Sequence, residues 1–185
     1  EQKELSQLDT KVQALAVDEL SPDEQAALAD FRSAVQPPNS SAPAPGPQRE
    51  WARPTHRVLV WDGNGRLVTH AGLLVRNSLA NDQPVRVGGI GGVMTLPEMR
   101  RQGLAATAMA SGVEYFRQLG DVDFALLVCK PHLLAYYGRL GWRQFEGRLL
   151  VRQWGETEEF TFNEVMTYPL RYAPEGVIDL LGPPW

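Results

Sequence analysis

The sequence contains one cysteine, Cys129, among its 185 residues. A single cysteine excludes an intramolecular disulfide and is typical of a reducing compartment. Three scattered histidines and this one cysteine have no metal-ligand spacing, so no metal site is predicted. The thiol has no obvious activating partner in the sequence, and we expect it to be buried and inert.

Long apolar runs and an excess of positive charge are absent as well. No run approaches the roughly 20 apolar residues of a membrane-spanning helix. The chain has 18 basic and 22 acidic residues and a net charge of −4, which argues against binding to nucleic acid or an anionic membrane through bulk charge. The stretch EQKELSQLDTK, which opens the sequence, has no signal-peptide pattern, and we expect a cytoplasmic protein.

Length and composition predict a single domain over residues 1–185 with a sizeable core. Ser21 and Glu24 have the spacing of a capping box, which predicts a helix over Pro22–Val35. The stretch Gln36–Gln48 is rich in proline and serine and is predicted to be a flexible loop.

Apolar runs between turn residues indicate most of the strands. The tetrapeptide DGNG at 62–65 predicts a hairpin turn, whereas the polar stretch NSLANDQ at 77–83 is predicted to be a loop. The strands expected are Lys11–Val17, His56–Trp61, Arg66–Arg76, Pro84–Thr95, Asp123–Cys129, Trp142–Gln153, Glu159–Phe162 and Val165–Leu170, and the later helices are Gly103–Leu119 and Pro131–Gly141. This order predicts an α/β (α+β) fold with a mixed, mainly antiparallel sheet and helices on its faces.

A strand meets a helix in the segment GGVMTLPEMRRQGLAATAM at 91–109. The free N–H groups and the positive dipole end of a helix N-terminus bind anions. Gly103 permits close backbone approach, and Arg100 and Arg101 can add charged hydrogen bonds to phosphate. The residues alone leave two interpretations open, a solvated arginine loop and a phosphate site.

The run GGIGG at 88–92 places four glycines in one strand, which weakens it. It indicates a bulge that turns the strand, an open wall for a bulky ligand, or a surface turn.

The segment RRQGLA at Arg100–Ala105 matches the pattern [RQ]-x-x-G-x-[GA] of the GCN5-related N-acetyltransferases, the GNAT superfamily. The segment LLAYYGRLGW further along resembles the tyrosine helix of that superfamily, which ends in a tight turn. The resemblance implies the GNAT fold, with a central sheet of about seven strands that is splayed at the fourth and fifth strands. A looser similarity to aminoglycoside 2′-N-acetyltransferases and to the Nod-factor acyltransferase NodA covers about Val12–Trp185.

The resemblance implies an enzyme that moves an acetyl group from acetyl-coenzyme A to a primary amine of a small molecule, by direct attack in a ternary complex. It implies main-chain contacts to the pantetheine arm from Val93, Met94 and Thr95. The residues implied to hold the pyrophosphate are Arg100, Arg101, Gln102, Gly103, Leu104 and Ala105. A backbone N–H near Met94 is the implied oxyanion donor, and a homodimer is one assembly to test.

Tyr137 is the implied general acid, in preference to its neighbour Tyr136. A phenol with an ordinary pKa of about 10 carries a proton at neutral pH and can donate it to a departing thiolate. Adjacent helical residues point about 100° apart, so the two tyrosines cannot serve the same position.

The general base is open at this stage. The aminoglycoside enzymes carry a glutamate just before the Gly-Val of the fourth strand, where this chain has Gly91. A neutral amine, bulk water or another side chain could take over, and the candidate side chains are Glu114, His70, His132, Glu159 and Glu164. His70 has the alternative interpretation of a packed core histidine.

Substrate contacts are predicted for Gly91, Gly92 and Trp185, the last through a terminal carboxylate. Other activities fit the same resemblance. These are a longer-chain N-acyltransferase, an acetyltransferase for protein N-termini, and a module that binds acyl-coenzyme A without turnover.

Overall fold

Ten strands of the described residues form one mixed sheet in the computed structural model, which describes residues 9–35 and 48–185. The strands are β1 Thr10–Ala16, β2 His56–Asp62, β3 Leu67–Ala80, β4 Gln83–Thr95, β5 Phe124–Cys129, β6 Arg143–Gln144, β7 Arg148–Gln153, β8 Glu156–Glu159, β9 Glu164–Pro169 and β10 Val177–Asp179. The helices are α1 Pro22–Val35, α2 Leu104–Leu119 and α3 Leu134–Arg139. All but the last residue of the predicted loop Gln36–Gln48 lies outside the described residues.

The predicted fold class and the first helix are confirmed. Ser21 and Glu24 form the capping box at the start of α1, since the backbone N–H of each donates a hydrogen bond to the side chain of the other. The DGNG hairpin also forms, and the N–H of Gly65 donates to the carbonyl of Asp62 across it.

The loop predicted for NSLANDQ is wrong. Strand β3 continues to Ala80, and the chain reverses at Asn81 and Asp82, whose φ angles are 48° and 62°. Two successive residues with positive φ make a tight hairpin turn that matches the twist of the strands, and Asn and Asp tolerate that conformation. Polar side chains at 77–83 therefore belong to strand ends and a two-residue turn.

Other boundaries differ from prediction because short elements replace long ones. The expected strand Trp142–Gln153 divides into β6 and β7, and β8 lies before the expected Glu159–Phe162. The expected helix Pro131–Gly141 begins with a 3-10 turn and becomes α-helical only at Leu134. Strand β10 was not predicted, and it is held between β3 and β7. The sheet thus has more strands than the expected seven.

The sheet parts between β4 and β5. These parallel strands pair only where Val87–Gly89 faces Phe124–Leu126. Beyond Gly89, β4 stays paired with β3 but leaves β5, which pairs with β9 along its whole length. The result is a gap in the sheet between two strands that run the same way, as the resemblance implied.

A bulge in β4 lies at the gap. His70 of β3 faces Met94 and Gly72 faces Gly91, so β4 has one residue more than β3 over this stretch. Gly92, at a φ of 58°, is in this bulge, and only glycine adopts that angle readily. The glycine run therefore includes the bulge that the sequence indicated.

The helices cover opposite faces of the sheet. Helix α2 comes so close to β4 that a Cβ atom on Gly88 would lie 2.7 Å from the Phe116 ring. Helix α1 covers the other face, where the rings of Phe31 and His70 are 5.1 Å apart. The C-terminal segment that ends at Trp185 packs on this second face beside β4.

Candidate active site

Two cavities meet at the bulge of β4. The first, which we call the face cavity, has a volume of about 360 Å³ and lies over β3 and β4 on the face that carries α1. The second, the gap cavity, has a volume of about 390 Å³ and lies where β4 and β5 part. Their shared wall consists of Gly91 and Gly92, and no other described residue lines both cavities. Two ligands, one in each cavity, would touch across these two glycines.

Tyr137 lies in the gap cavity, together with Val93 and His132. Its side chain is on α3 and is 8% exposed. Burial, with smaller effects of Cys129 and Tyr136, raises the pKa of Tyr137 to about 12. The phenol therefore keeps its proton throughout the neutral range and can act as a proton donor to a group in this cavity.

The other two side chains of chemical interest in the gap cavity differ from Tyr137 in reactivity. Cys129 is free and buried, as predicted, and burial raises the pKa of its thiol further from neutrality. A protonated thiol is a poor nucleophile. His132 is exposed at the cavity edge, one residue into the 3-10 turn that precedes α3.

Strand β4 presents an open backbone edge to the gap. Over Ile90–Thr95 its partner on one side is β3, and on the other side β5 has already diverged. Alternate N–H and C=O groups of a strand point to each side, so some of those between Ile90 and Thr95 face the gap. An extended ligand could pair with them as a further strand would.

The loop Arg100–Gly103 precedes α2 with an unusual backbone. Arg101 and Gly103 both have positive φ, at 64° and 79°, and Gly103 is the N-cap without a side-chain capping bond. None of the described residues accepts a hydrogen bond from the backbone N–H of Arg101, Gln102 or Gly103. These N–H groups and the helix dipole together form a place for an anion.

The predicted cofactor residues therefore form two groups. Val93 lines the gap cavity, Met94 lines the face cavity, and the hydroxyl of Thr95 accepts a hydrogen bond from that of Thr69. The loop residues follow at the start of α2, and none of the described ones lines either cavity. Arg100 reaches back, and its Nε donates to the carbonyl of Thr95 at 3.4 Å.

Main chain of the C-terminal segment lies beside Gly91. A Cβ atom on Gly91 would lie 3.0 Å from the backbone carbonyl carbon of Trp185 and 3.6 Å from its oxygen. A glutamate side chain at Gly91 would thus meet the C-terminal segment. The structure brings Gly91, Gly92 and Trp185 together on the wall of the face cavity.

The indole of Trp185 lies flat on β4 at the start of the gap. A Cβ atom on Gly89 would overlap the ring, and the indole N–H donates to the carbonyl of Leu126 at 2.9 Å. Leu126 is the last β5 residue that pairs with β4. The indole N–H therefore satisfies the carbonyl of Leu126, the residue at which β4 and β5 separate.

Arg76 holds this segment from the other side. Its guanidinium lies 5.1 Å from the centre of the Trp185 ring and donates to the carbonyl of Pro183 at 2.6 Å. The N–H of Ala52 adds a bond of 2.7 Å to the carbonyl of Pro184. These bonds fix the segment as a wall of the face cavity.

His70 is the buried polar residue of the face cavity. It is 3% exposed, as expected of a core histidine, and its Nδ1 has no hydrogen-bond partner among the described residues. Burial, followed by the charges of Arg57 and Arg32, lowers the pKa of His70 to about 4. The imidazole is therefore neutral at pH 7 and is a weak base.

Arg32 and Arg57 also line the face cavity, and neither was predicted as a site residue. Arg57 lies on β2 between His56 and the buried Val58, and Arg32 follows the buried Phe31 on α1. The one signal in the sequence was an arginine within a strand rich in apolar residues, because a charged side chain is rarely buried unless it has a partner.

The remaining candidate bases lie elsewhere. Glu114 pairs with Arg117 at 2.7 Å, and Glu159 pairs with Arg148 at 3.0 Å. Glu164 accepts a bond from the side-chain amide of Gln144. None of these three described glutamates lines either cavity.

The described residues contain no helix that is both long and apolar enough to cross a membrane. They also contain no group of three or more His, Cys, Asp or Glu side chains arranged to hold a metal ion.

A mixed sheet that opens between two parallel strands is the architecture that the resemblance to the GNAT superfamily implied. The sequence profile described as Acetyltransferase (GNAT) domain matches residues 17–145. The chain belongs to the GNAT acetyltransferase family and is thus an acyltransferase by family.

Solved structures with similar folds agree with this assignment. ElaA of Escherichia coli is 20% identical, with 86% of this chain and 99% of ElaA covered and a TM-score of 0.56. YhbS of E. coli, solved in complex with coenzyme A, is 13% identical, with 94% and 91% covered and a TM-score of 0.57. A Brucella melitensis GNAT acetyltransferase in complex with acetyl-coenzyme A is 14% identical, with 91% and 94% covered and a TM-score of 0.55.

At these identities the likeness concerns the fold. No curated protein sequence matches the chain significantly. The narrower similarity to aminoglycoside 2′-N-acetyltransferases and NodA stays a prediction.

Proposed function

We propose that this chain is a single-domain N-acetyltransferase. It transfers the acetyl group of acetyl-coenzyme A to a primary amine of a small molecule, by direct attack while both substrates are bound. The observation that carries the proposal is the meeting of the two cavities at Gly91 and Gly92. A thioester in the gap cavity and an amine in the face cavity would come into contact there without a covalent enzyme intermediate.

The donor site has the features that coenzyme A requires. The open edge of β4 offers backbone groups to the amides of a pantetheine arm. The free N–H groups of Arg101, Gln102 and Gly103 suit a pyrophosphate, and Arg100 and Arg101 supply positive charge. Complexes of YhbS with coenzyme A and of the Brucella protein with acetyl-coenzyme A support the same ligand.

Acetyl transfer forms a C–N bond to the acetyl carbon and breaks its C–S bond. Negative charge develops first on the carbonyl oxygen, and we assign its stabilisation to a backbone N–H near Met94. The charge then passes to sulfur, and Tyr137 donates a proton to the departing thiolate. A pKa of about 12 keeps that proton available at neutral pH.

The amine loses its proton to solvent in this mechanism. His70, which lines the face cavity, has its pKa lowered to about 4 and is therefore a poor base at pH 7. Gly91 replaces the relatives' glutamate, and the C-terminal segment occupies its place. Gly92 is exposed at the junction of the cavities, so water can reach the reacting amine.

Thiol release from acetyl-coenzyme A, measured across a panel of amines, tests the proposal. Turnover that depends on the amine and yields an N-acetyl product supports it. Tight coenzyme A binding without thiol release on any amine would instead favour a binding module. Faster release from longer acyl-coenzyme A thioesters would favour the acyltransferase alternative.

A further inference from the structure

The face cavity has a positive wall. Arg57 and Arg32 both line it, on β2 and α1 respectively, and they are close enough that Arg32 lowers the pKa of Arg57 after the larger effect of burial. Arg57 is half-buried and Arg32 is exposed, so the two like charges repel each other and Arg57 also loses hydration. Such a pair is stabilised when an anion binds between or beside the two groups.

Among the described residues, no acidic side chain pairs with Arg32 or Arg57. The described residues that line the cavity include no Asp or Glu. Outside the described ranges, residues 36–47 contain no acidic residue, whereas residues 1–8 contain Glu1 and Glu4.

A third polar group of the cavity also lacks a partner. The Nδ1 atom of His70, which is buried, makes no hydrogen bond to any described residue. A buried polar atom without a partner costs free energy, so such atoms commonly mark a place for water or ligand. His70, which lines the same cavity, therefore has a buried ring nitrogen whose hydrogen-bonding capacity is unused.

We propose that the amine substrate also carries an anionic group, a carboxylate or a phosphate, which binds to Arg57 and Arg32. This inference rests on the proposed function, since it takes the face cavity to be the amine site. The guanidinium group matches the planar oxygens of either anion with two parallel hydrogen bonds. The anion fixes one end of the substrate on the α1 side of the cavity.

The opposite end of the cavity suits the amine. The carbonyl oxygen of Trp185 is beside Gly91, where it can accept a hydrogen bond from an N–H. Gly91 and Gly92 there open onto the gap cavity, where the thioester would be. A cavity of about 360 Å³ has room for an amino acid or a compound of similar size. Polycations such as spermidine or an aminoglycoside would place extra positive charge against two arginines.

Matched substrate pairs test the proposal. Thiol release from acetyl-coenzyme A is measured with L-amino acids and their α-amides, with phosphoethanolamine and ethanolamine, and with spermidine. We expect the anionic member of at least one pair to have the higher kcat/KM by about tenfold or more. The two sets of pairs distinguish carboxylate from phosphate. Turnover is compared at equal concentrations of free amine. Equal or faster turnover of the members that lack the anion, or of spermidine, then overturns the inference but leaves the proposed function intact.

Arginine variants then locate the anion. Arg57→Gln and Arg32→Gln should each reduce the preference for the anionic member about tenfold, mainly through KM, and Arg57→Lys should retain part of it. Arg53→Gln is the control, because Arg53 is exposed and lies on neither cavity wall. A preference that survives in both glutamine variants overturns the assignment. Arg32 is exposed on α1, so its variant tests the idea even if Arg57→Gln does not fold.

Binding separates this inference from the proposed function. If no amine releases thiol, isothermal titration of the protein with coenzyme A and N-acetyl-L-amino acids, against their amides, still tests the anion site. Binding of the acid that weakens in the two arginine variants supports the site and disproves only the enzyme. Absence of any preference for the acid over the amide disproves the anion site.

Discussion

The backbone carbonyl carbon of Trp185 lies 3.0 Å from the position that a Cβ atom on Gly91 would take. The C-terminal segment therefore leaves little room for a side chain at Gly91, and both Gly91 and Trp185 line the face cavity.

Substitution of Gly91 tests that contact. We expect Gly91→Ala to lower the free energy of unfolding by about 1–3 kcal/mol, because the main chain of Trp185 must move. Gly91→Glu should lower turnover rather than restore a general base. Chemical denaturation and kcat/KM for the best amine are the measurements. Gly63→Ala is the control, since its Cβ would make an ordinary contact of 3.5 Å with Asp9. Equal stability of the two alanine variants would contradict the close contact.

Removal of the Tyr137 hydroxyl tests the general acid. Tyr137→Phe should reduce kcat about a hundredfold or more, because the thiolate then departs without a proton donor. The affinity for acetyl-coenzyme A should change little. Tyr136→Phe is the matched control, since Tyr136 is the adjacent, more exposed tyrosine of the same helix. Steady-state kinetics of both variants is the measurement. Wild-type turnover by Tyr137→Phe would refute the assignment.

Gly103 and Gly120 flank α2, and a substitution at either has the same backbone cost. The pair therefore allows a test of the loop Arg100–Gly103 as the pyrophosphate site. Gly103 and Gly120 have φ angles of 79° and 78°, and a Cβ on either would meet no described atom within 4 Å. Gly103→Glu and Gly120→Glu should both lose about 1–2 kcal/mol of stability, because a side chain disfavours that angle.

Only Gly103→Glu should weaken coenzyme A binding, by about tenfold or more, since its carboxylate would face the phosphates. Titration calorimetry with coenzyme A gives both dissociation constants. If both variants bind as the wild type does, the pyrophosphate is not held at this loop.

His70 predicts a loss of stability in acid. Its pKa is lowered from an ordinary value of 6.5 to about 4 in the folded state. Between these values the unfolded chain binds more protons than the folded one, so stability is full above pH 6.5 and falls as the pH drops towards 4. At about 1.4 kcal/mol for each pH unit, the loss is about 3 kcal/mol.

Urea denaturation at pH 7.0 and 4.5 measures this slope. Replacement of His70 by Gln should remove most of it, whatever the variant does to absolute stability at pH 7.0. His132→Gln, which changes an exposed histidine, is the control and should keep the wild-type slope. An unchanged slope in His70→Gln would show that other groups account for the acid sensitivity.

Local chemistry was enough to predict much of the fold. The capping box at Ser21, the DGNG turn and the glycine bulge each depend on residues close in sequence, and each is present in the structure. The turn at Asn81 and Asp82 was missed because polar strand ends resemble a loop when only composition is considered. Strand β10 has three residues and exists because β3 and β7 flank it, so its own sequence holds little information.

The candidate site divides in the same way. Tyr137 lies in α3, and the loop Arg100–Gly103 immediately precedes α2. Each belongs to one short segment of the chain, so a short sequence motif can indicate it. The wall of the face cavity combines Arg32, Arg57 and Trp185, which come from three distant parts of the chain. Only the folded sheet brings them together, so no spacing in the sequence could have indicated the positive wall.

The two cavity walls are built from different residues, and this has a consequence for how the protein can evolve. Apart from Gly91 and Gly92, no residue in the described part of the chain lines both walls. Substitutions on α1, β2 or the final segment can alter one compartment without touching a side chain of the other. The substrate specificity of the face cavity could thus change by mutation while the chemistry of the gap cavity is preserved. Gly91 and Gly92 are the positions that both cavities constrain.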